Sequence, residues 1–254
     1  MEGSAIFAAI SAQQIVLIAF AAFAGSVAAG LSGMGGGMLI AVAVAPVVGV
    51  QALIPMMTIT MLFNHIARVS AFRHNIDWLS ARRVMTTGLP FTVLGAVIYA
   101  SLPPRAVAIG LGVFVLIVVP ARRLLGDKRW QLSAAGLMGV GSIFGFISGT
   151  AFGAGMILIP VFLGMGLSGA TLIGTDAVIG LAVLVVKAIT FGSLSVLTTE
   201  LIVFGVVVGL FTMPGVYVAR WIIERSSVRL HTALIEIVLL FGGASFIWRG
   251  VYGD

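Results

Sequence analysis

Charge is too scarce in this chain to solvate the surface of a globular domain, and that narrows the fold more than any motif does. Asp, Glu, Lys and Arg make up 9% of the 254 residues, and hydrophobic residues make up 60%. A soluble domain carries about 25% charged residues. The mean hydropathy of +1.21 points the same way. At about 20 residues per span, there is room for roughly eight to ten transmembrane helices and no sizeable water-soluble domain. Soluble enzymes and nucleic-acid binders are disfavoured, and the net charge of +6 is that of cytoplasmic loops that collect Lys and Arg. Cysteine is absent, so a disulfide scaffold, a thiolate metal site and a cysteine nucleophile are excluded. Met1 to Gln14 carry no Lys or Arg, so the first apolar stretch reads as a retained span rather than a secretory signal.

The apolar stretches define segments near 13–31, 38–49, 51–72, 82–102 and 105–121. After the polar run from Arg122 to Arg129, they resume near 131–148, 156–166, 169–191, 200–222 and 227–248. Trp78, Trp130, Trp221 and Trp248 fall at segment ends, where an aromatic belt belongs. The segments 38–49 and 156–166 are too short to cross about 30 Å of hydrocarbon at 1.5 Å per residue. Each follows a small-residue cluster, Gly33-Met34-Gly35-Gly36-Gly37 or Ala151-Phe152-Gly153-Ala154-Gly155. An offset of 118 aligns the clusters, and an offset of 120 aligns Gly95–Arg105 with Gly215–Arg225. The chain therefore reads as an internal duplication, 1–126 and 127–254.

With five crossings per half, Arg73, Arg82, Arg83, Arg122 to Arg129, Arg220, Arg225 and Arg229 lie on one side, and only Arg105 and Arg249 on the other. That asymmetry makes the basic side cytoplasmic and both termini extracytoplasmic. An odd number of crossings inverts the second half relative to the first. The expectation is an all-α polytopic membrane protein of about ten segments, in two inverted five-segment repeats with broken, Gly-rich helices, the sequence pointer to a transporter site at the repeat interface.

The glycine clusters let the backbone unwind, and such backbone at membrane depth must line a cavity or be covered by protein. The short helix that follows points N–H groups and a positive dipole end backwards. Gly35, Gly36 and Gly37, with Gly153 and Gly155, are therefore candidate anion-binding positions; the alternative is close helix packing. Thr60, Asn64 and Arg68 are spaced by four on one helical stripe, and the planar fork of Arg68 suits an oxyanion. At an offset of 119, the counterpart of Arg68 is Lys187, which twelve uncharged residues separate from Glu200. The two cations would flank a central site, or else snorkel to the interface. Thr175 joins the substrate group. Asp176, after Gly174-Thr175, is a coupling carboxylate or the N-cap of a restarted helix. Glu236 lies inside the last segment and is either a hydrogen-bonded neutral acid or a second coupling group.

The cluster Gly33-Met34-Gly35-Gly36-Gly37, its counterpart Ala151-Phe152-Gly153-Ala154-Gly155 with Pro160, and the loop Arg73-His74-Asn75-Ile76-Asp77-Trp78 resemble the TauE/SafE sulfite exporter family, also called the 4-toluene sulfonate uptake permease family. The second cluster departs from the pattern, with Ala in place of two glycines, and Val42 stands where the first half would carry the matching proline. The resemblance covers essentially the whole chain. It implies a transporter of sulfite, organosulfonates or related sulfur anions.

Other classes stand beside it. An anion channel would use the same residues. Gly30-Leu31-Ser32-Gly33 matches the Gly-x-Ser-Gly of rhomboid intramembrane proteases, whose serine needs a base in reach, and of His65, His74 and His231 only His65 lies within a span. A structural or assembly subunit is supported only by Gly205-x-x-x-Gly209, the spacing of a helix-contact pair, and does not explain the two broken helices. No Walker sequence occurs, which argues against a nucleotide-driven pump. The reading is a multi-pass carrier in a bacterial inner membrane, working by alternating access. Its partners are a small anion and the lipid bilayer, with no nucleic acid and no cofactor, and a homo-oligomer is an open option.

Overall fold

Helices account for all the regular structure in the computed structural model, which describes residues 11–32, 36–125, 132–151, 154–223 and 248. In chain order they are α1 (Ala12–Ser32), α2 (Gly36–Phe72), α3 (Trp78–Ala100), α4 (Pro104–Leu125), α5 (Ala134–Thr150), α6 (Gly155–Gly164), α7 (Gly169–Ser193) and α8 (Thr199–Ile223). Among the described residues, five stretches are long and apolar enough to cross a membrane: Gln13–Gly30, Gln51–Phe72, Trp78–Ala100, Gly169–Ser193 and Thr199–Ile222. The segment expected over 227–248, apart from Trp248, lies outside the described residues. So do Gly35, Gly153 and Glu236.

Local chemistry sets the helix ends and breaks. The break expected after residue 49 is a single non-helical residue, Gly49 (φ 77, ψ 162), inside α2. That left-handed φ strains any side chain. α6 has ten residues, about 15 Å of helix, too little to span. Two boundaries differ from the sequence reading. α3 begins at Trp78 rather than 82, because the Asp77 carboxylate accepts from Leu79 N and Ser80 N and caps the helix. α4 runs to Leu125 and absorbs Arg122 and Arg123, since Arg and Leu are good helix formers and no glycine interrupts before Gly126.

Packing rests on small residues. On α5, Gly141, Gly145 and Gly149 recur every fourth position and face α3. A Cβ at Gly145 would collide with the carbonyl of Gly88, and one at Gly141 with that of Val84; at Gly149 it would sit 2.5 Å from Thr92 O. Without those methyls the two backbones touch, the usual way helices associate where lipid offers no hydrophobic driving force. Gly95 on α3 and Gly215 on α8, the pair related by the 120 offset, hold equivalent crossings, against Phe146 O of α5 and Phe23 O of α1. Gly205 and Gly209 are indeed contact residues, set against Met56, Ile59 and Phe63 of α2. The contacts are reciprocal: α1 packs on α8 and α5 on α3; α2 packs on α8 and α7 on α3; α2 and α7 pack on each other. The outer surface carries exposed apolar side chains such as Phe20, Ile117, Ile143 and Ile189, while Thr60, Asn64, Arg68, Asp176 and Lys187 are buried. This is the distribution a lipid-facing bundle requires.

Candidate functional site

The α2–α7 contact brings two elements from opposite halves side by side, and Arg68 and Asp176 meet there. α7 runs unbroken from Gly169, with Ser168 as its N-cap, so the capping role considered for Asp176 does not apply. Gly174 instead leaves room for the 72–75 backbone: a Cβ there would lie 2.7 Å from Asn75 O and 3.0 Å from Phe72 O. The loop that follows docks on the next residue. Asp77 N donates to Thr175 Oγ1 at 2.9 Å, and that hydroxyl donates to Thr171 O at 2.7 Å. Thr175, expected among the substrate residues, is thus the seat of the Arg73–Trp78 loop.

At the next residue of α7, Arg68 Nη2 lies 2.9 Å from Asp176 Oδ2, and both side chains are almost wholly buried. The approach is an ion pair rather than an aligned hydrogen bond, and buried Arg68 Nε has no hydrogen-bond partner among the described residues. Close to the carboxylate is the start of α6: a Cβ on Gly155 would sit 3.2 Å from Asp176 Oδ1. Ala154, at the N-cap of α6, brings no side-chain hydrogen bond, and the positive end of the helix dipole is favourable for a carboxylate. Arg68, Asp176 and Gly155 therefore form one cluster, drawn from three elements.

Lys187 is also buried, not snorkelling. Its Nζ donates to Ser148 O at 2.6 Å and to Ala151 O at 2.9 Å, and lies 5.4 Å from the centre of the Phe191 ring. The ammonium caps the end of α5 where the chain breaks, with favourable dipole and cation–π terms. Lys187→Met removes two charge-assisted hydrogen bonds and is expected to lower stability by about 1.5–3 kcal/mol. Thermal unfolding of the purified variant in detergent measures this, and an unchanged midpoint would show that the capping contributes nothing.

Thr60 and Asn64 turn to other helices. Thr60 Oγ1 donates to Gly205 O at 3.1 Å. Asn64 Nδ2 donates to Ser26 Oγ at 2.8 Å, and Ser26 Oγ donates to Thr212 O. These bonds tie α2 to α8 and α1, so the stripe from Thr60 to Arg68 is buried and serves three neighbours. Gly36 opens α2, and a Cβ on Gly37 would lie 3.3 Å from Met61 Sδ, so α2 folds back on itself across Gly49. His65 keeps Nδ1 3.0 Å from Met61 O, with its ring against Gly180. Among the described residues no group of three or more His, Asp or Glu is placed to hold a metal ion.

Sequence reasoning missed the Arg68–Asp176 pair. The available signal was physical: a carboxylate and a guanidinium, both inside spans, need partners. The α5 glycine stripe was also missed, although Gly141, Gly145 and Gly149 repeat at helical spacing.

The sequence profile described as sulfite exporter TauE/SafE matches residues 17–246. No curated protein and no solved structure matches the chain.

Proposed function

From the premise that this chain belongs to the sulfite exporter TauE/SafE family, a family of membrane transporters, we propose that it carries a small sulfur oxyanion, sulfite first, across a bacterial inner membrane by alternating access. The observation that carries the reading is the family match across nearly the whole chain. The broken α2 and the short α6, at matching places in the two halves, support a carrier. The reciprocal contacts, α1 with α8 as α5 with α3, are what two inverted repeats would make. Arg68, paired with the carboxylate that borders the start of α6, is the cation best placed to meet the anion.

Reconstituted protein is expected to show saturable sulfite counterflow: labelled sulfite outside accumulates when unlabelled sulfite is loaded inside. Flux that rises linearly with concentration and shows no counterflow would favour a channel. No sulfite flux at all would end the sulfite reading.

The inverted arrangement makes its own prediction. A cysteine at Ser4 is expected to react with an impermeant thiol reagent added outside intact cells, and one at Lys128 to be protected. Single cysteines report cleanly because the chain has none. Labelling of both positions, or of neither, would rule out five crossings per half, and the opposite pattern would reverse the orientation.

A further inference from the structure

We infer that Arg68 and Asp176 form an anion-exchange site. The Asp176 carboxylate is a tethered stand-in that occupies the Arg68 guanidinium until a small oxyanion replaces it, and the carboxylate then moves to the start of α6. The inference rests on the transport reading above and names the residues that would meet the substrate.

Three observations carry it. First, the pair is buried in both members, yet the guanidinium is under-used. Among the described residues its Nε has no hydrogen-bond partner, and its Nη2 meets Asp176 Oδ2 off the hydrogen-bond direction. A guanidinium offers five donors in a planar fork, which suits two oxygens of one anion. A bidentate oxyanion would satisfy donors that Asp176 leaves empty.

Second, the carboxylate has somewhere to go. Its Oδ1 already lies against Gly155, at the first turn of a ten-residue helix that no side chain caps. A carboxylate is stabilised at a helix N-terminus. Glycine at 155 leaves that approach open, where a Cβ would stand 3.2 Å from Oδ1. Asp176 thus has one ionic partner, Arg68, and a helix start close beside it, one for each state of occupancy.

Third, the elements are those that must move relative to each other in alternating access. Arg68 is on α2 from the first half, and Asp176 and Gly155 are on α7 and α6 from the second. With Asp176 on Arg68, the halves are tied. With an oxyanion on Arg68 and Asp176 on α6, that tie is replaced by one the anion makes. An anion that binds the two arrangements unequally shifts the population between them.

Thermal unfolding of purified protein in detergent, with sodium formate and sodium sulfite as probes, tests the exchange. Formate replaces the missing carboxylate; sulfite is the proposed cargo. Both are expected to raise the midpoint of Asp176→Ala by several degrees, saturably, and to leave Arg68→Gln/Asp176→Ala unmoved. Sulfite should saturate wild type only at a concentration at least tenfold above that for Asp176→Ala. Asp176→Asn keeps the side-chain volume, guards against a folding failure of the alanine variant, and should shift sulfite saturation in the same direction. The inference is overturned if neither anion stabilises Asp176→Ala, if the double variant responds equally, or if wild type and the Asp176 variants saturate together. Those results alongside normal wild-type counterflow would leave the transport function standing. Formate behaving as expected while sulfite stabilises neither protein would support the exchange site and remove sulfite as its cargo.

Discussion

Gly145→Val is expected to leave little stable protein in the membrane. Even a single methyl at this position would overlap the carbonyl of Gly88 on α3. The obstacle is backbone, so no rotamer change relieves it. α3 and α5 must separate, and the neighbouring contacts at Gly141 and Gly149 open with them. Overpacking a tight core costs about 1–3 kcal/mol, more where nothing can yield. Gly139 on the same helix provides the control, because a Cβ there has nothing within 4 Å. Gly139→Ala is expected to be neutral or slightly stabilising, by up to about 1 kcal/mol, from helix propensity alone. Thermal unfolding monitored by size-exclusion chromatography in detergent reads both. If Gly145→Val held the wild-type midpoint, α3 and α5 would not cross at this point.

Arg68→Met should be the most damaging change among the buried charges. It leaves the Asp176 carboxylate buried and without its cation, a loss on the order of 3–5 kcal/mol. Arg68→Met/Asp176→Leu removes both charges and is expected to recover most of the stability, because a buried pair replaced by apolar groups of similar size is often neutral. Neither variant should support counterflow, since both lack the guanidinium. A single variant as stable as wild type, or a double variant no better than the single, would show that the two residues are not coupled.

The contrast between these sites illustrates what a sequence can convey. Thr60, Asn64 and Arg68 announce a buried stripe by their spacing in an apolar segment, and all three are buried. Their partners are not legible, because Gly205, Ser26 and Asp176 lie in distant parts of the chain. Lys187 was legible as an unusual charge within a span. Its engagement with Ser148 O and Ala151 O was not, because backbone carbonyls at a helix break carry no residue signature. Asp77 lay in a motif whose loop was recognised, but its capping of α3 shifted that helix by one turn.

What the sequence determined by itself was the class and the punctuation. With 9% charged residues, water cannot solvate this chain's surface, so the helices must face lipid. Glycine clusters and Gly49 then set where helices can break, because local backbone freedom depends on the residue at that position. Tertiary structure decided which buried polar group meets which. In lipid each such group must find a partner within the protein, and hydrogen bonds and ion pairs form only at contact distance. Contact between Arg68 and Asp176, or between Gly145 and Gly88, arises only when α2 meets α7 and α5 meets α3.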